Sequence, residues 1–443
     1  MKAESLFIRD GYVIDPATGL DCKADLLVEN GRIVEIVEPG KAGHKADHHL
    51  DATGLIVAPG FVDIHVHLRE PGQTHKETIA TGTAAAAAGG FTAVCPMPNT
   101  TPVNDSVEIT EWMQASERGA VVNVFPIGAA TVGSMGERLT NYEALKRAGI
   151  VAVTDDGKPI LDEKIMRLAL ETSARSGLPV IQHAEDTKIT AGCSMHLGST
   201  SFRLGLRGMP AEAESSIVER DIRLAREVGG HLHVAHLSTA LALEAVRRAK
   251  RLAKGQFKVT CEVTPHHFVL THRDIHNYDA NFKMNPPLRS REDVEAILVG
   301  LEDGTVDCIA TDHAPHAKYE KNQEFERAPF GITGFESALG LAITALHQQR
   351  GMSLKRIIQL MSCNPAHEMG LKGRGQLKPG SPADITIFDP NQRWTFRAEG
   401  SLSKSKNTPF DGVKLQGRVV HTIVNGRVVY STPTATRGSR AST

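Results

Sequence analysis

Apolar and polar positions follow two rhythms along this chain. Over residues 1 to about 57 the apolar runs are short and close together. Leu6-Phe7-Ile8, Tyr12-Val13-Ile14, Asp25 to Val28 and Arg32 to Val37 are separated by Asp10-Gly11, Asn30-Gly31 and Pro39-Gly40. Asn-Gly between apolar runs is a strong hairpin signal, so this stretch predicts a small antiparallel sheet. From Phe61 the rhythm lengthens, and short apolar strands alternate with helical stretches. Strands are expected from Phe61 and over Phe91–Cys95, Val121–Ile127, Ile150–Thr154, Pro179–Gln182, His231–Ala235, Lys258–Val263 and Val306–Ala310. Helices are expected over Thr78–Ala88, Val107–Arg118, Tyr142–Ala148, Glu163–Ser176, Ala211–Val228, Leu241–Leu252 and Arg291–Leu301, then over Glu336–Arg350 and Leu354–Met361. Eight such strands alternating with helices over about 250 residues are the signature of an α/β chain folded as a TIM (β/α)8 barrel. Beyond Gly373 short strands return at Asp384–Asp389, Gly417–Val424 and Arg427–Tyr430, with a second Asn-Gly turn at Asn425-Gly426. The two chain ends, 1–57 and 374–430, are therefore expected to combine into one small β-sandwich beside a barrel spanning 58–373. The polar stretch 431–443 is expected to be a disordered tail.

Composition narrows the classes. With 443 residues, 41% of them hydrophobic, the chain is long enough for a barrel plus a second unit. Fifty basic residues balance 51 acidic ones, which gives no overall attraction to nucleic acid or to an anionic membrane. The six cysteines show no C-x-x-C spacing, so neither a zinc ribbon nor a disulfide framework is expected. The first residues, Met1 to Ser5, soon meet Arg9 and Asp10 and lack a signal-peptide core. No apolar run approaches membrane-spanning length. A cytoplasmic protein is the expectation.

The chemistry collects where the strands end. Asp63, His65 and His67 alternate with Val62, Ile64 and Val66, and side chains two apart on a strand point the same way. Two imidazoles so placed suit a divalent metal, but two ligands do not complete a site. Further ligand types stand at other strand ends: Asp155-Asp156 after the fourth, His183 after the fifth, His236 after the sixth, and Asp312, His313 and His316 after the eighth. Singly, an aspartate there caps a helix and a histidine fills a core. Together, at the carboxyl end of a barrel, four histidines and two aspartates suit a pair of metal ions, one carboxylate bridging them. Such a pair can activate water and polarise a carbonyl, and a nearby aspartate can carry the proton to a leaving nitrogen. That is amide hydrolysis. Residues 313 to 329 have little apolar content and are long enough to form a lid.

Asp63-x-His65-x-His67-x-Arg69-x-Pro71-Gly72 and Ala310-Thr311-Asp312-His313-Ala314-Pro315-His316 resemble the two signatures of dihydroorotase, in the amidohydrolase superfamily. Pro98-Asn99-Thr100, Met284 to Arg289 and Pro329-Phe330-Gly331 resemble further segments of that family, so the likeness covers all but the tail. The resemblance implies two Zn2+ per subunit, with His65, His67 and Asp312 on one and His183 and His236 on the other. Many relatives bridge the ions with a carboxylated lysine. Thr154-Asp155-Asp156-Gly157 instead looks like the long bacterial enzymes that use aspartate. Alternation does not separate the two aspartates; the spacing to His183 selects Asp156, and Lys158 lies past the turn. The resemblance also implies Asp312 as the proton shuttle, and His67, Arg69, Asn99, Asn285, His316, Phe330 and Gly331 around the substrate. Arg69 presents a fork suited to a carboxylate. His266 and His267 line the site or serve the structure with equal weight. The implied reaction is the reversible hydrolysis of dihydroorotate to N-carbamoyl-L-aspartate in pyrimidine synthesis, by a homo-oligomer with aspartate transcarbamoylase as an implied partner. The alternatives are another cyclic-amide hydrolase, such as a dihydropyrimidinase or allantoinase, and a non-catalytic scaffold for the transcarbamoylase.

Overall fold

The computed structural model describes residues 5–41, 46–253 and 255–432. Strands from both ends of the chain meet in one sheet. Its order runs Arg427–Ser431, Lys414–Val424, Ile385–Thr395, Ile56–Pro59, Ser5–Asp15, Leu20–Glu29 and Arg32–Val37, with His48–Asp51 also paired to Ser5–Asp15. Ile56–Pro59 is the joint: it pairs parallel with Ser5–Asp15 and antiparallel with Ile385–Thr395. The hydrogen bonds join the strands of both chain ends into one continuous eight-stranded sheet. Ile8, Val13, Leu26, Ile33, Val57, Ile385, Ile387 and Ile423 form its buried core. The two Asn-Gly turns abut each other. Asn30, Gly31, Asn425 and Gly426 all have positive φ, as a tight hairpin turn demands. A Cβ on Gly31 would lie 2.7 Å from the Asn425 carbonyl oxygen, so a side chain there would push the turns apart. Pairing continues into the expected tail: Ser431 ends its strand and Thr432 N donates to Val420 O. Residues 433–443 lie outside the described residues.

The second set of strands is parallel throughout. Phe61–Val66, Phe91–Pro96, Asn123–Val124 with Gly128–Ala129, Val153–Thr154, Val180–Gln182, His231–Val234, Lys258–Val263 and Cys308–Ile309 follow one another in space as in sequence. We number them one to eight. Strand three is interrupted at Pro126, which has no N–H to give a ladder. Phe125 N and Ile127 N still donate to Val94 O and Pro96 O, so it starts later than expected and runs on to Ala129. The end of the series returns to its beginning: Val66 and His313 form a parallel bridge, and His67 N donates to His313 O at 2.9 Å. Side chains alternate. Val180 joins the cluster that includes the helices, whereas Ile181 joins Val62, Ile64, Ala93, Cys95, Ile127, Ala152, Ala235, Cys308 and Ala310. That second set is mostly small, which lets the strands close up beneath the polar residues at their carboxyl ends.

Helices Ile79–Ala88, Val107–Gln114, Tyr142–Ala148, Glu163–Ser176, Glu212–Val228, Ala240–Ala253 and Arg291–Asp303 fill the intervals. The alanine-rich one starts at a capping box, in which Thr78 and Thr81 satisfy each other's backbone N–H groups. Glu163–Ser176 runs from a cap by Asp162 to Gly177 in the left-handed conformation. Two of the last helices are wider than expected, Phe335–Ala342 continuing as π-helix over Ile343–Gln348 and Leu354–Ile358 over Gln359–Cys363. The segment 313–329 is packed, contrary to its polar sequence. Phe325 and Ala328 are buried, and Phe325 joins Met195, Ile275 and Leu288. Lys321 is buried too, its ammonium donating to Pro329 O and Gly331 O. Among the described residues no helix is long and apolar enough to cross a membrane.

Candidate metal and substrate site

The carboxyl ends of strands one, four, five, six and eight deliver His65, His67, Asp156, His183, His236 and Asp312 to one buried cluster. His67 Nε2 is 3.0 Å from Asp312 Oδ1, and His65 Nε2 is 3.5 Å from the same oxygen. His183 Nδ1 is 2.9 Å from His236 Nε2. Asp156 stands between the two groups. Its Oδ1 lies 3.4 Å from His65 Nε2 and 3.8 Å from both His183 Nδ1 and His236 Nε2, and its Oδ2 lies 3.7 Å from His67 Nε2. Two triads, His65–His67–Asp312 and His65–Asp156–His236, have donor atoms within 4.8 Å of one another. His236 and Asp312 have φ of 30° and 45°, and Arg69 has 61°. Non-glycine residues rarely adopt such values, which mark backbone strained to aim a side chain.

The adjacent aspartate goes elsewhere. Asp155 accepts from Thr131 N and from the Thr131 hydroxyl. It fastens the fourth strand end to the third, while Lys158 is exposed.

The donor set fits cations. A carboxylate only accepts hydrogen bonds, so His65 donates from Nδ1 to Glu262 Oε1 at 2.5 Å and His183 from Nε2 to Glu185 Oε2 at 3.0 Å. His67 Nδ1 meets Asn99 Oδ1 at 2.9 Å, and Asn99 Nδ2 donates to Asp156 Oδ2. In each ring the other nitrogen then turns a lone pair toward the cluster, the arrangement that orients metal-binding histidines. His65 Nε2 and Asp156 Oδ1 are buried without a hydrogen-bond partner. Behind His65, Asp63 accepts from Thr311 N and Oγ1 and ties strand one to strand eight; burial pushes its pKa up to about 7.

Beside the cluster stands Arg69. Its Nε donates to Pro315 O at 3.1 Å and its Nη2 to His316 Nε2 at 3.3 Å. Among the described residues no carboxylate lies within ion-pairing distance of this buried guanidinium. Burial draws its pKa down to about 10, so it stays charged. Burial, Arg69 and Lys76 push the His316 pKa far down, which keeps that ring neutral. Asn285 Nδ2 donates to Glu185 Oε2 at 2.8 Å, beside His183. Gly331 abuts His316: a Cβ there would come 2.7 Å from the ring. Phe330 lies under the Lys283 ammonium, 4.5 Å from it. His267 bonds the Thr264 hydroxyl and Pro286 O, a structural set of partners, whereas buried His266 Nε2 has none.

Four residues of this site have no role assigned from the sequence, although Glu185 stands with His183 among the ligand types that end strand five. Glu262 and Glu185 hold His65 and His183, and Asn407 and Glu77 hold the rim. The Asn407 amide accepts from His316 N and donates to Ala314 O and Gly331 O. Glu77 bonds His313 and the backbone N–H of Lys404. Glu262 had a signal, a carboxylate inside the apolar run Lys258–Val263. Asn407 had none, since it comes from the connection between two sheet strands.

Parallel strands that bring paired histidines and aspartates to one buried cluster at their carboxyl ends define a metal-dependent amidohydrolase. Residues 54–241 match the family described as Dihydro-orotase-like. Dihydroorotases of Solibacter usitatus and Endomicrobium trichonymphae are each 49% identical, over 427 and 426 residues, covering 96% of this chain and 98% and 99% of theirs. The chain belongs to the dihydroorotase family. Solved structures with the same fold include L-hydantoinase (dihydropyrimidinase) from Arthrobacter aurescens, with a TM-score of 0.85, 24% identity and 96% of both chains covered. D-hydantoinase from a Bacillus sp. AR9 follows, with a TM-score of 0.83, 25% identity and 96% and 95% covered.

Proposed function

We propose that this chain is a zinc-dependent dihydroorotase holding two zinc ions per subunit. It opens the ring of (S)-dihydroorotate to N-carbamoyl-L-aspartate and closes it in the biosynthetic direction toward UMP. The observation that carries this reading is Arg69, a buried guanidinium with no carboxylate partner among the described residues, set beside the histidine–aspartate cluster. A buried charge calls for a partner, and the carboxylate of dihydroorotate supplies one. The return of strand eight to strand one supports a closed (β/α)8 barrel over 58–373. The shared sheet supports grouping 1–57 with 374–430 as the second unit.

In this reading His65, His67 and Asp312 would hold one zinc and His183 and His236 the other, with the Asp156 carboxylate available between them. Zinc bound there supplies Lewis acidity for attack of water on a ring amide carbonyl. Arg69 binds the substrate carboxylate, with Asn99 and His316 at its sides. Asn285 and the backbone at Phe330–Gly331 contact the ring and fix its orientation. Asp312 takes the proton of the attacking water on a carboxylate oxygen and delivers it to the leaving ring nitrogen. Ring closure runs the same transfer backward.

Hydrolysis of a hydantoin or dihydropyrimidine is the second reading, and the hydantoinase fold favours it. Those rings lack the carboxylate that Arg69 would bind. A scaffold role is disfavoured because the full ligand set is present. Zinc analysis of the purified protein, with a dihydroorotate assay before and after chelation, tests the proposal. Stoichiometric zinc and chelator-sensitive turnover are expected; turnover unaffected by complete zinc removal would overturn it.

A further inference from the structure

Strands six and seven carry polar residues at alternate positions of otherwise apolar runs: His231 and His233 on one, Thr260 and Glu262 on the other. The parallel register sets His231 opposite Lys258 and His233 opposite Thr260. The four side chains form one line of hydrogen bonds. Glu262 Oε1 meets His65 Nδ1, and Glu262 Oε2 meets His233 Nε2 at 3.2 Å. His233 Nδ1 and His231 Nε2 each lie 2.8 Å from Thr260 Oγ1. His233, Thr260 and Glu262 are buried, and His231 is half-buried at the start of its strand, 3.8 Å from Glu368. The line therefore runs from the metal-facing end of the strands to the opposite end.

We propose that His231, Thr260 and His233 are positioning residues that act through Glu262 to fix the ring of His65 and the nitrogen it turns to the metal. The proposal rests on the metal reading above. Its basis is the order of the protons. Glu262 only accepts, so both His65 and His233 donate to it. His233, donating from Nε2, keeps a lone pair on Nδ1. Thr260 has one O–H, and it is spent on that lone pair. His231 must then donate from Nε2 to the Thr260 oxygen. One arrangement satisfies every group, and it leaves His65 with a proton on Nδ1 and a free pair on Nε2. With Thr260 unable to donate, His233 gains access to its other tautomer, whose Nε2 lone pair would face the carboxylate. Glu262 then loses a donor and its hold on His65 loosens. A second contact serves the same end: Glu262 Oε1 also accepts from His236 N, so the carboxylate fixes the backbone of another cluster residue.

The test compares Glu262→Gln, Thr260→Val and Thr260→Ser with the parent, all full-length and zinc-loaded. Zinc affinity is read by competition with a chelator, and ligand geometry by the visible spectrum after cobalt substitution. Outer partners of metal-binding histidines are worth about 10–100-fold in metal affinity. Glu262→Gln is expected to weaken zinc binding across that range, and Thr260→Val by about 10-fold, its low end. Both should alter the cobalt spectrum, while Thr260→Ser, which keeps the hydroxyl, should match the parent. Should Glu262→Gln fail to fold, the Thr260 pair decides alone. Parent-like affinity and spectrum in Thr260→Val would overturn the proposal and leave the metal reading standing. A parent that binds neither metal would overturn the metal reading itself and the proposal with it.

Discussion

Asp155 and Asp156 are neighbours in the turn after strand four and face opposite ways. Asp156 Oδ1 lies within 3.8 Å of three cluster histidines, whereas both oxygens of Asp155 are taken by Thr131. Their isosteric variants should part in the same manner. Asp156→Asn should lose zinc and most turnover, by at least about 10²-fold if metal activation fails. Asp155→Asn should keep zinc and lose about 1 kcal/mol of stability, the net worth of an ordinary hydrogen bond. Zinc content and urea denaturation separate the two. Equal zinc loss in both would mean that the turn acts as a unit.

The second group of histidines should be separable from the first. His183 and His236 lie with Asp156, on the far side from His67 and Asp312. His183→Ala or His236→Ala should therefore lower the zinc content from two per subunit to about one. Removing all zinc should lower the melting temperature as well, because a ligand at a hundred times its Kd stabilises by about 2.7 kcal/mol. Unchanged zinc in both variants would take the two residues off the ligand list.

Lys321 makes stability depend on pH. Burial, with Lys283 nearby, draws its pKa from 10.5 down to about 7. Between those values the unfolded chain holds a proton that the folded chain lacks, so stability rises with pH across the window. One such group contributes a slope of up to about 1.4 kcal/mol per pH unit. Lys283, drawn down to about 8 by burial, adds in the same direction. Urea denaturation at about pH 8 and about pH 9.5 should show the slope fall in Lys321→Met. An unchanged slope would place the ammonium in contact with water.

The strand ends were legible because metal ligands on a strand obey its period of two, and five strands repeat the signal at the same end. Glu262 showed in the sequence only as a carboxylate inside an apolar run; its role depends on the register between strands seven and six and on His65 across the cluster, and no spacing encodes either. The segment 313–329 misled for a related reason. Lys321 counts as polar, yet three backbone carbonyls, those of Lys283, Pro329 and Gly331, replace its water. Short strands with Asn-Gly turns announced a sheet at each chain end, but not which strands adjoin. Ile56–Pro59, bonded on both sides, joins the strands of the two chain ends.

Arg69 should separate substrates by one functional group. Losing one partner of a buried charge pair costs roughly 2–5 kcal/mol. Arg69→Met should lower kcat/KM for dihydroorotate by about 10²–10³-fold while zinc content holds, because Arg69 is not a ligand. Any turnover of dihydrouracil, which has no carboxylate, should barely change. Equal loss of both activities would make Arg69 a structural residue.

The most direct measurement is the ratio of kcat/KM for dihydroorotate to that for hydantoin and dihydrouracil, taken on the zinc-loaded parent protein. A guanidinium set to meet a carboxylate predicts a preference for dihydroorotate of about 10–10²-fold, the worth of a charge-assisted contact made only with that ring. Equal rates, or a preference for either ring without a carboxylate, would contradict the dihydroorotase reading.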